Sequence, residues 1–212
     1  MTWGEQAARA IERYAGGEKR GRDQRQLTQL GNAAWAAGLS LLMDGRRDEA
    51  AVWLRRAAER YRESWEAGAP SDSWGRPIAA MKALLLAGNT ADAAALWALG
   101  AGARDADSPI GRYAGVLALL VLGEDAEAGV DASTLRGRDD FPSAVADSLA
   151  AIAAGDREGF ARAVEDVLES FEQRADYLED ARVADTVLAV QVLASRRGLE
   201  ADLRESELLP HR

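Results

Sequence analysis

The chain has 212 residues, 48% of them apolar, and its 35 acidic side chains outnumber its 26 lysines and arginines to give a net charge of −9. The absence of cysteine excludes disulfides, thiolate nucleophiles and cysteine-ligated metal clusters. The single histidine is His211, and no second one is present to complete a histidine-based catalytic or metal site. We therefore predict that the chain is not an enzyme and needs no cofactor or metal.

Apolar residues recur at spacings of three and four through most of the chain, which is the period of an amphipathic α-helix. The pattern predicts an all-α fold with helices at residues 5–15, 26–44, 48–67, 77–87, 91–100, 110–122, 143–154, 158–176 and 180–195. Proline is tolerated in a first helical turn, so Pro109 after Ser108 and Pro142 after Asp140 predict helix starts. Asp140 is the expected cap of the helix that Pro142 begins.

A glycine follows an apolar run at Gly45, Gly88, Gly123 and Gly155, which are separated by 43, 35 and 32 residues. An alanine lies five residues after each of the first three glycines. Glycine can adopt the left-handed conformation that ends a helix, and a small alanine lets two helices approach closely. The pattern predicts four helical hairpins, and the second helix of the third hairpin is expected to break at Gly129.

These units resemble the tetratricopeptide repeat family, whose repeats have a period of about 34 residues. The first hairpin matches best, with Gly38 seven residues before Gly45 and Ala50 five residues after it. The resemblance covers about residues 26–176. It implies one domain, residues 1–212, formed by an array of nine or ten helices in antiparallel hairpins, with the N-terminal and C-terminal helices as caps.

The resemblance also assigns groove positions at thirteen, ten, six and three residues before each of the first three turn glycines. They are Asn32, Trp35, Leu39 and Leu42, then Gly75, Ile78, Lys82 and Leu85, then Ile110, Tyr113, Leu117 and Leu120. An apolar groove of this kind either binds a helix or peptide or is filled by the chain's own terminal helices. The predicted partner contacts are Asn32, Trp35, Lys82 and Tyr113, with Trp74 and Arg76 as a second, loop-borne candidate.

Charge patterning gives further expectations about partners. Residues 107–212 carry 22 acidic and 11 basic side chains, and the basic loop at residues 19–25 lacks the aromatic residues that stack on bases, so we expect no nucleic-acid partner.

The carboxylates of Glu165, Glu169, Glu172 and Asp176 fall on one helical stripe. We interpret this stripe as a solvated face with Arg162 and Arg174 as its partners.

No run approaches the roughly 20 apolar residues that a membrane span requires, and the N-terminal residues lack the apolar region of a signal peptide. We therefore expect no membrane association and a cytoplasmic location. A homodimer remains open.

The segments SWGRPI (residues 73–78) and SELLP (residues 206–210) are similar to segments of the immunity protein 49 family of bacterial polymorphic toxin systems, although Leu208 replaces the usual aromatic residue. This resemblance implies binding to a toxin and no catalysis. The predicted function is thus a non-catalytic protein-binding module with a protein or peptide partner, and toxin neutralisation is its most specific form. A small-ligand-binding or cryptic enzymatic helical domain is the alternative.

Overall fold

The computed structural model describes residues 2–19 and 22–211, and in these ranges it contains ten α-helices, two 3-10 turns and no strand. The helices are α1 (Trp3–Glu18), α2 (Gln24–Met43), α3 (Arg47–Glu66), α4 (Gly75–Leu86), α5 (Asp92–Gly100), α6 (Pro109–Leu122), α7 (Asp125–Ser133), α8 (Ser143–Ala154), α9 (Arg157–Glu172) and α10 (Asp185–Ser195). The 3-10 turns are Ala103–Asp105 and Leu178–Asp180. The all-α prediction is confirmed. Residues 20 and 21 of the basic loop lie outside the described residues.

Several details of the predicted helices are wrong. α7 runs through Gly129 without a break, since a helical glycine costs only about 1 kcal/mol relative to alanine and its neighbours continue the helix. α9 ends at Glu172 instead of residue 176, and α10 begins at Asp185 instead of residue 180. The stretch between them contains the 3-10 turn Leu178–Asp180, which packs against α2.

The four turn glycines have the left-handed backbone that the sequence predicts. The φ angles of Gly45, Gly88, Gly123 and Gly155 are 78°, 70°, 82° and 68°. At the end of α2 the Arg46 N–H donates to the Leu41 carbonyl at 2.9 Å, the hydrogen bond of a helix that ends in a left-handed residue.

One of the two proline-associated caps is as predicted and the other is wrong. Ser108 caps α6 with its hydroxyl, and Pro109 is the first residue of that helix. At α8 the cap position is Pro142 itself. The Asp140 carboxylate instead accepts two hydrogen bonds from the Arg138 guanidinium, at 2.8 and 2.7 Å, because this charged partner lies only two residues away.

Helices α2 and α3 form a closely packed hairpin. A Cβ added at Gly38 would lie 2.6 Å from Leu54 Cγ, and one added at Gly31 would lie 2.8 Å from a ring carbon of Tyr61. Both distances are too short for real carbon atoms, so the two glycines permit the large side chains of α3 to approach the α2 backbone. Gly38 is part of the predicted hairpin pattern, whereas Gly31 is not.

One cluster of buried side chains extends from Ala10 to Leu208. Consecutive helices pack against each other, and α10 turns back to contact α4, α8 and α9. Its return brings residues 185 and 186 against α4, which precedes them by about a hundred positions.

The chain after α10 is held on α9. Arg204 donates to Glu172 Oε1 at 2.9 Å and lies 3.4 Å from a carboxylate oxygen of Glu165. The C-terminal segment thus folds back over the acidic stripe. As a result Glu165 and Glu172 pair with Arg204, whereas the sequence analysis expected Arg162 and Arg174 as partners.

Candidate functional site

Lys82 joins α4 to the first turn of α10. Its Nζ donates to Asp185 Oδ2 at 3.0 Å and to Thr186 Oγ1 at 2.7 Å, and the residue is only 8% exposed. A buried ammonium needs such partners because the transfer of an unpaired charge out of water is costly. The pair therefore fixes α10 on the face of α4 that the sequence assigns to the groove.

A cavity of about 330 Å³ lies beside this ion pair. Its lining includes five of the residues that the repeat register assigns to the groove: Gly75, Ile78, Lys82, Ile110 and Tyr113. Phe141 and Val145 add apolar surface, and Arg174 and Thr186 add polar groups. The volume is at the lower end of the range of small-ligand pockets, about 300 to 1,000 Å³.

Tyr113 is the unusual residue in this wall. It is 5% exposed, its ring lies 5.6 Å from that of Phe141, and its hydroxyl is buried with no hydrogen-bond partner in the described part of the chain. Burial raises the pKa of the phenol, although the nearby Lys82 charge acts in the opposite direction. An unpaired buried hydroxyl costs about 1–3 kcal/mol, so a ligand that reached this group would gain by accepting its hydrogen bond.

Lys82 remains protonated in this environment. Burial by itself would lower the Lys82 pKa, but the charge of Asp185 and the hydrogen bond to it raise the pKa above its ordinary value. The ammonium has three N–H donors, and two of them have partners. The site thus presents a fixed cation next to the neutral Tyr113 hydroxyl.

Arg174 adds a second positive charge at the mouth of the cavity. The residue is exposed, and its guanidinium lies 3.6 Å from the centre of the Phe171 ring. It forms no ion pair with any residue in ranges 2–19 and 22–211. The sequence interpretation placed Arg174 with the acidic stripe, whereas the structure places it beside Lys82 and Tyr113.

Lys82 and Tyr113 are thus brought together, whereas the other four predicted contact residues lie elsewhere. Trp35 is buried in the core at 4% exposure, and Asn32 accepts a hydrogen bond from the Tyr61 hydroxyl at 2.9 Å. Both residues hold α2 against its neighbours. Neither residue lines the cavity at Lys82, and their contact with a partner stays a prediction.

The loop-borne pair is also engaged inside the protein. Trp74 is 6% exposed and its ring lies 6.0 Å from that of Trp65. The Arg76 guanidinium donates to Ser64 Oγ at 2.9 Å and to Gln24 Oε1 at 2.7 Å, which ties α4 to α3 and α2. Neither side chain therefore provides the free surface that the sequence analysis expected.

Sequence reasoning missed Asp185, Thr186 and Phe141 as parts of the site. Asp185 and Thr186 are 103 and 104 positions from Lys82, and nothing in the local pattern indicates that α10 returns to α4. The one signal that could have suggested Asp185 is that a lysine predicted to lie on a buried face needs an acidic partner.

A second cavity, of about 670 Å³, lies between α1, α2 and the turn at Glu179. Charged residues there pair with each other, as Arg13 and Glu179 do at 3.2 Å. Among the described residues, no side chain of its lining carries a buried polar atom without a partner. The cavity at Lys82 is therefore the stronger candidate site.

Comparison with protein-family models, with curated proteins and with solved structures gave no match to this chain. In the part of the chain that the structure describes, no three histidine, aspartate or glutamate side chains are grouped as metal ligands. Over the same residues, none of the helices combines the length and apolarity needed to span a bilayer.

Proposed function

We propose that this chain is a non-catalytic binding protein with a tetratricopeptide-like helical-repeat architecture, and that the cavity at Lys82 is its binding site. Two features support the repeat assignment. The four turn glycines are left-handed at the predicted positions, and Gly38 allows the close α2–α3 approach expected of the first hairpin.

The observation that carries the binding proposal is the unpaired hydroxyl of Tyr113, a residue that lines a mostly apolar cavity together with Lys82. Small-ligand sites combine an apolar wall with a few polar groups that fix orientation. The pKa of Lys82 and the pKa of Tyr113 are both raised, so near neutral pH neither group is in the deprotonated form that a general base or a nucleophile requires. The site is suited to holding a molecule and not to transforming it.

A thermal-shift assay tests this function with three eight-carbon compounds, octanoate, octanamide and octylamine. A ligand that binds only the folded state raises the melting temperature. We expect at least one compound to do so in the parent protein and to lose its effect in Ile110→Trp, which fills the cavity mouth at a residue already 43% exposed.

Val130→Trp is the matched control, because Val130 is 66% exposed on α7 and does not line the cavity. It should leave the thermal shift unchanged. The proposal is wrong if no compound stabilises the parent, or if Ile110→Trp retains the full effect.

A protein partner, including the toxin of the immunity hypothesis, is the second candidate. Its support is the charge of residues 107–212, where 22 acidic and 11 basic side chains give −11, a surface suited to a basic protein. The test is co-expression with the polypeptide encoded directly upstream. A complex that survives purification and weakens with salt would favour this function, and separate elution of the two chains at low salt would reject it.

The cytoplasmic location belongs to the same hypothesis.

A further inference from the structure

We infer that the ligand of the Lys82 cavity is an apolar molecule that ends in a single carboxylate. This inference rests on the proposed function and specifies the class of ligand. The juxtaposition that supports it is an apolar wall lined also by three residues that carry hydrogen-bond donors: Tyr113, Lys82 and Arg174.

The wall fits a hydrocarbon body. Ile78, Phe141 and Val145 are buried and line the cavity, and Ile110 lines its exposed side. Contact with these side chains removes apolar ligand surface from water, which contributes about 25 cal/mol per Å². The limited volume of about 330 Å³ favours a ligand of medium length over a long acyl chain.

The charges around the cavity favour an anion. Asp185 is paired with Lys82, and Asp140 is paired with Arg138 at 2.8 Å. The two carboxylates are thereby compensated, and Arg174 is left as a positive charge without an ion-pair partner among the described residues. One negative charge on the ligand would make this group of charges neutral.

The unused donors also match a carboxylate. The Tyr113 hydroxyl has no partner in the described chain, and Lys82 uses two of its three N–H groups. A carboxylate offers about four lone-pair sites and accepts charge-assisted hydrogen bonds, which are roughly twice as strong as neutral ones. An amide of the same length could accept from Tyr113 but would leave the Arg174 charge uncompensated.

Isothermal titration calorimetry with octanoate and octanamide separates the head group from the hydrocarbon. At equal chain length we expect octanoate to bind the parent about tenfold more tightly or better, as one additional charge-assisted contact implies. Arg174→Gln should remove most of this preference and leave octanamide binding unchanged. Tyr113→Phe should weaken both ligands.

Arg182→Gln is the matched control, since Arg182 is also exposed, lies 5.8 Å from the Tyr177 ring and does not line the cavity. It should preserve the octanoate preference. Arg174 is exposed and its contact in the described chain is with the face of the Phe171 ring, so its variant should keep the parent's circular dichroism, which is measured alongside the titrations.

An apolar carboxylate can also be the C-terminus of a polypeptide. The tripeptide Ala-Ala-Leu with a free C-terminus tests this source. If it binds more tightly than octanoate, the apolar carboxylate belongs to a polypeptide C-terminus. If octanamide binds the parent as tightly as octanoate, or Arg174→Gln keeps the preference, the carboxylate assignment is wrong while the cavity remains a ligand site. If no ligand binds the parent, the proposed function and this inference both fail.

Discussion

Removing the Tyr113 hydroxyl should make the unliganded protein more stable. In Tyr113→Phe the ring keeps its contact with Phe141, and only a buried polar atom without a partner in the described chain is lost. The same substitution at Tyr61 should have the opposite effect. The Tyr61 hydroxyl is also buried, but it donates to Asn32 Oδ1 at 2.9 Å.

The magnitudes follow from the two environments. An unsatisfied buried group costs about 1–3 kcal/mol, so its removal at Tyr113, partly offset by lost packing of one atom, should stabilise by about 1 kcal/mol. For a chain of this length 1 kcal/mol corresponds to a rise in melting temperature of about 2–4 °C. Tyr61→Phe removes one made hydrogen bond and should destabilise by about 1 kcal/mol.

Urea denaturation of the parent and both variants measures these differences, with equal m-values as the condition for comparison. The reasoning is refuted if Tyr113→Phe is less stable than the parent by more than about 0.5 kcal/mol, since the hydroxyl would then have a partner. It is supported further if Tyr113→Phe, although more stable, binds octanoate less well, which is the trade-off expected at a binding site.

Three further predictions concern the fold and the ion pair. Gly38→Ala should destabilise by about 1–3 kcal/mol because its Cβ would meet Leu54 at 2.6 Å. Gly16→Ala, whose Cβ would have nothing within 4 Å, should stabilise by about 0.5–1 kcal/mol. Equal melting temperatures for the two variants would reject the hairpin packing. Gly45→Val should cost about 1–2 kcal/mol through its φ of 78° alone, and a parent-like urea midpoint would contradict this. The stability that Lys82 contributes is complete below its unfolded-state pKa of about 10.4 and is lost as pH rises from there through its higher folded-state pKa. Between about pH 9 and about pH 11 the free energy of unfolding should therefore decrease less in Lys82→Met than in the parent. Equal decreases in the two proteins would exclude this role.

The parts of the fold that depend on local signals could be predicted from the sequence. The helical period and the left-handed turns at Gly45 and Gly155 require only short-range sterics, and the structure has them as expected. The predicted Asp140 cap is wrong because the carboxylate can bind either the first N–H groups of α8 or the Arg138 guanidinium. It binds the guanidinium, which is charged. The expected break at Gly129 was wrong because the flanking residues sustain the helix.

The site could be predicted only in part. Counting positions back from the turn glycines selected Lys82 and Tyr113, since residues on one helical face share a register. The same count selected Trp35, which is buried in the core and does not line the cavity. Asp185 and Arg174 reach the site through the return of α10 and the segment before it, a long-range event that no local pattern encodes.

Methyl NMR of the isoleucine side chains tests the central claim, that the cavity at Lys82 binds a ligand, most directly. The chain has four isoleucines, so a δ1-methyl spectrum contains four signals. Ile78 and Ile110 line the cavity, whereas Ile11 lies on α1 and Ile152 is fully buried away from it. Titration with octanoate should shift the Ile78 and Ile110 signals and leave those of Ile11 and Ile152 in place. Four unchanged signals at saturating octanoate, or shifts confined to Ile11 and Ile152, would contradict the account.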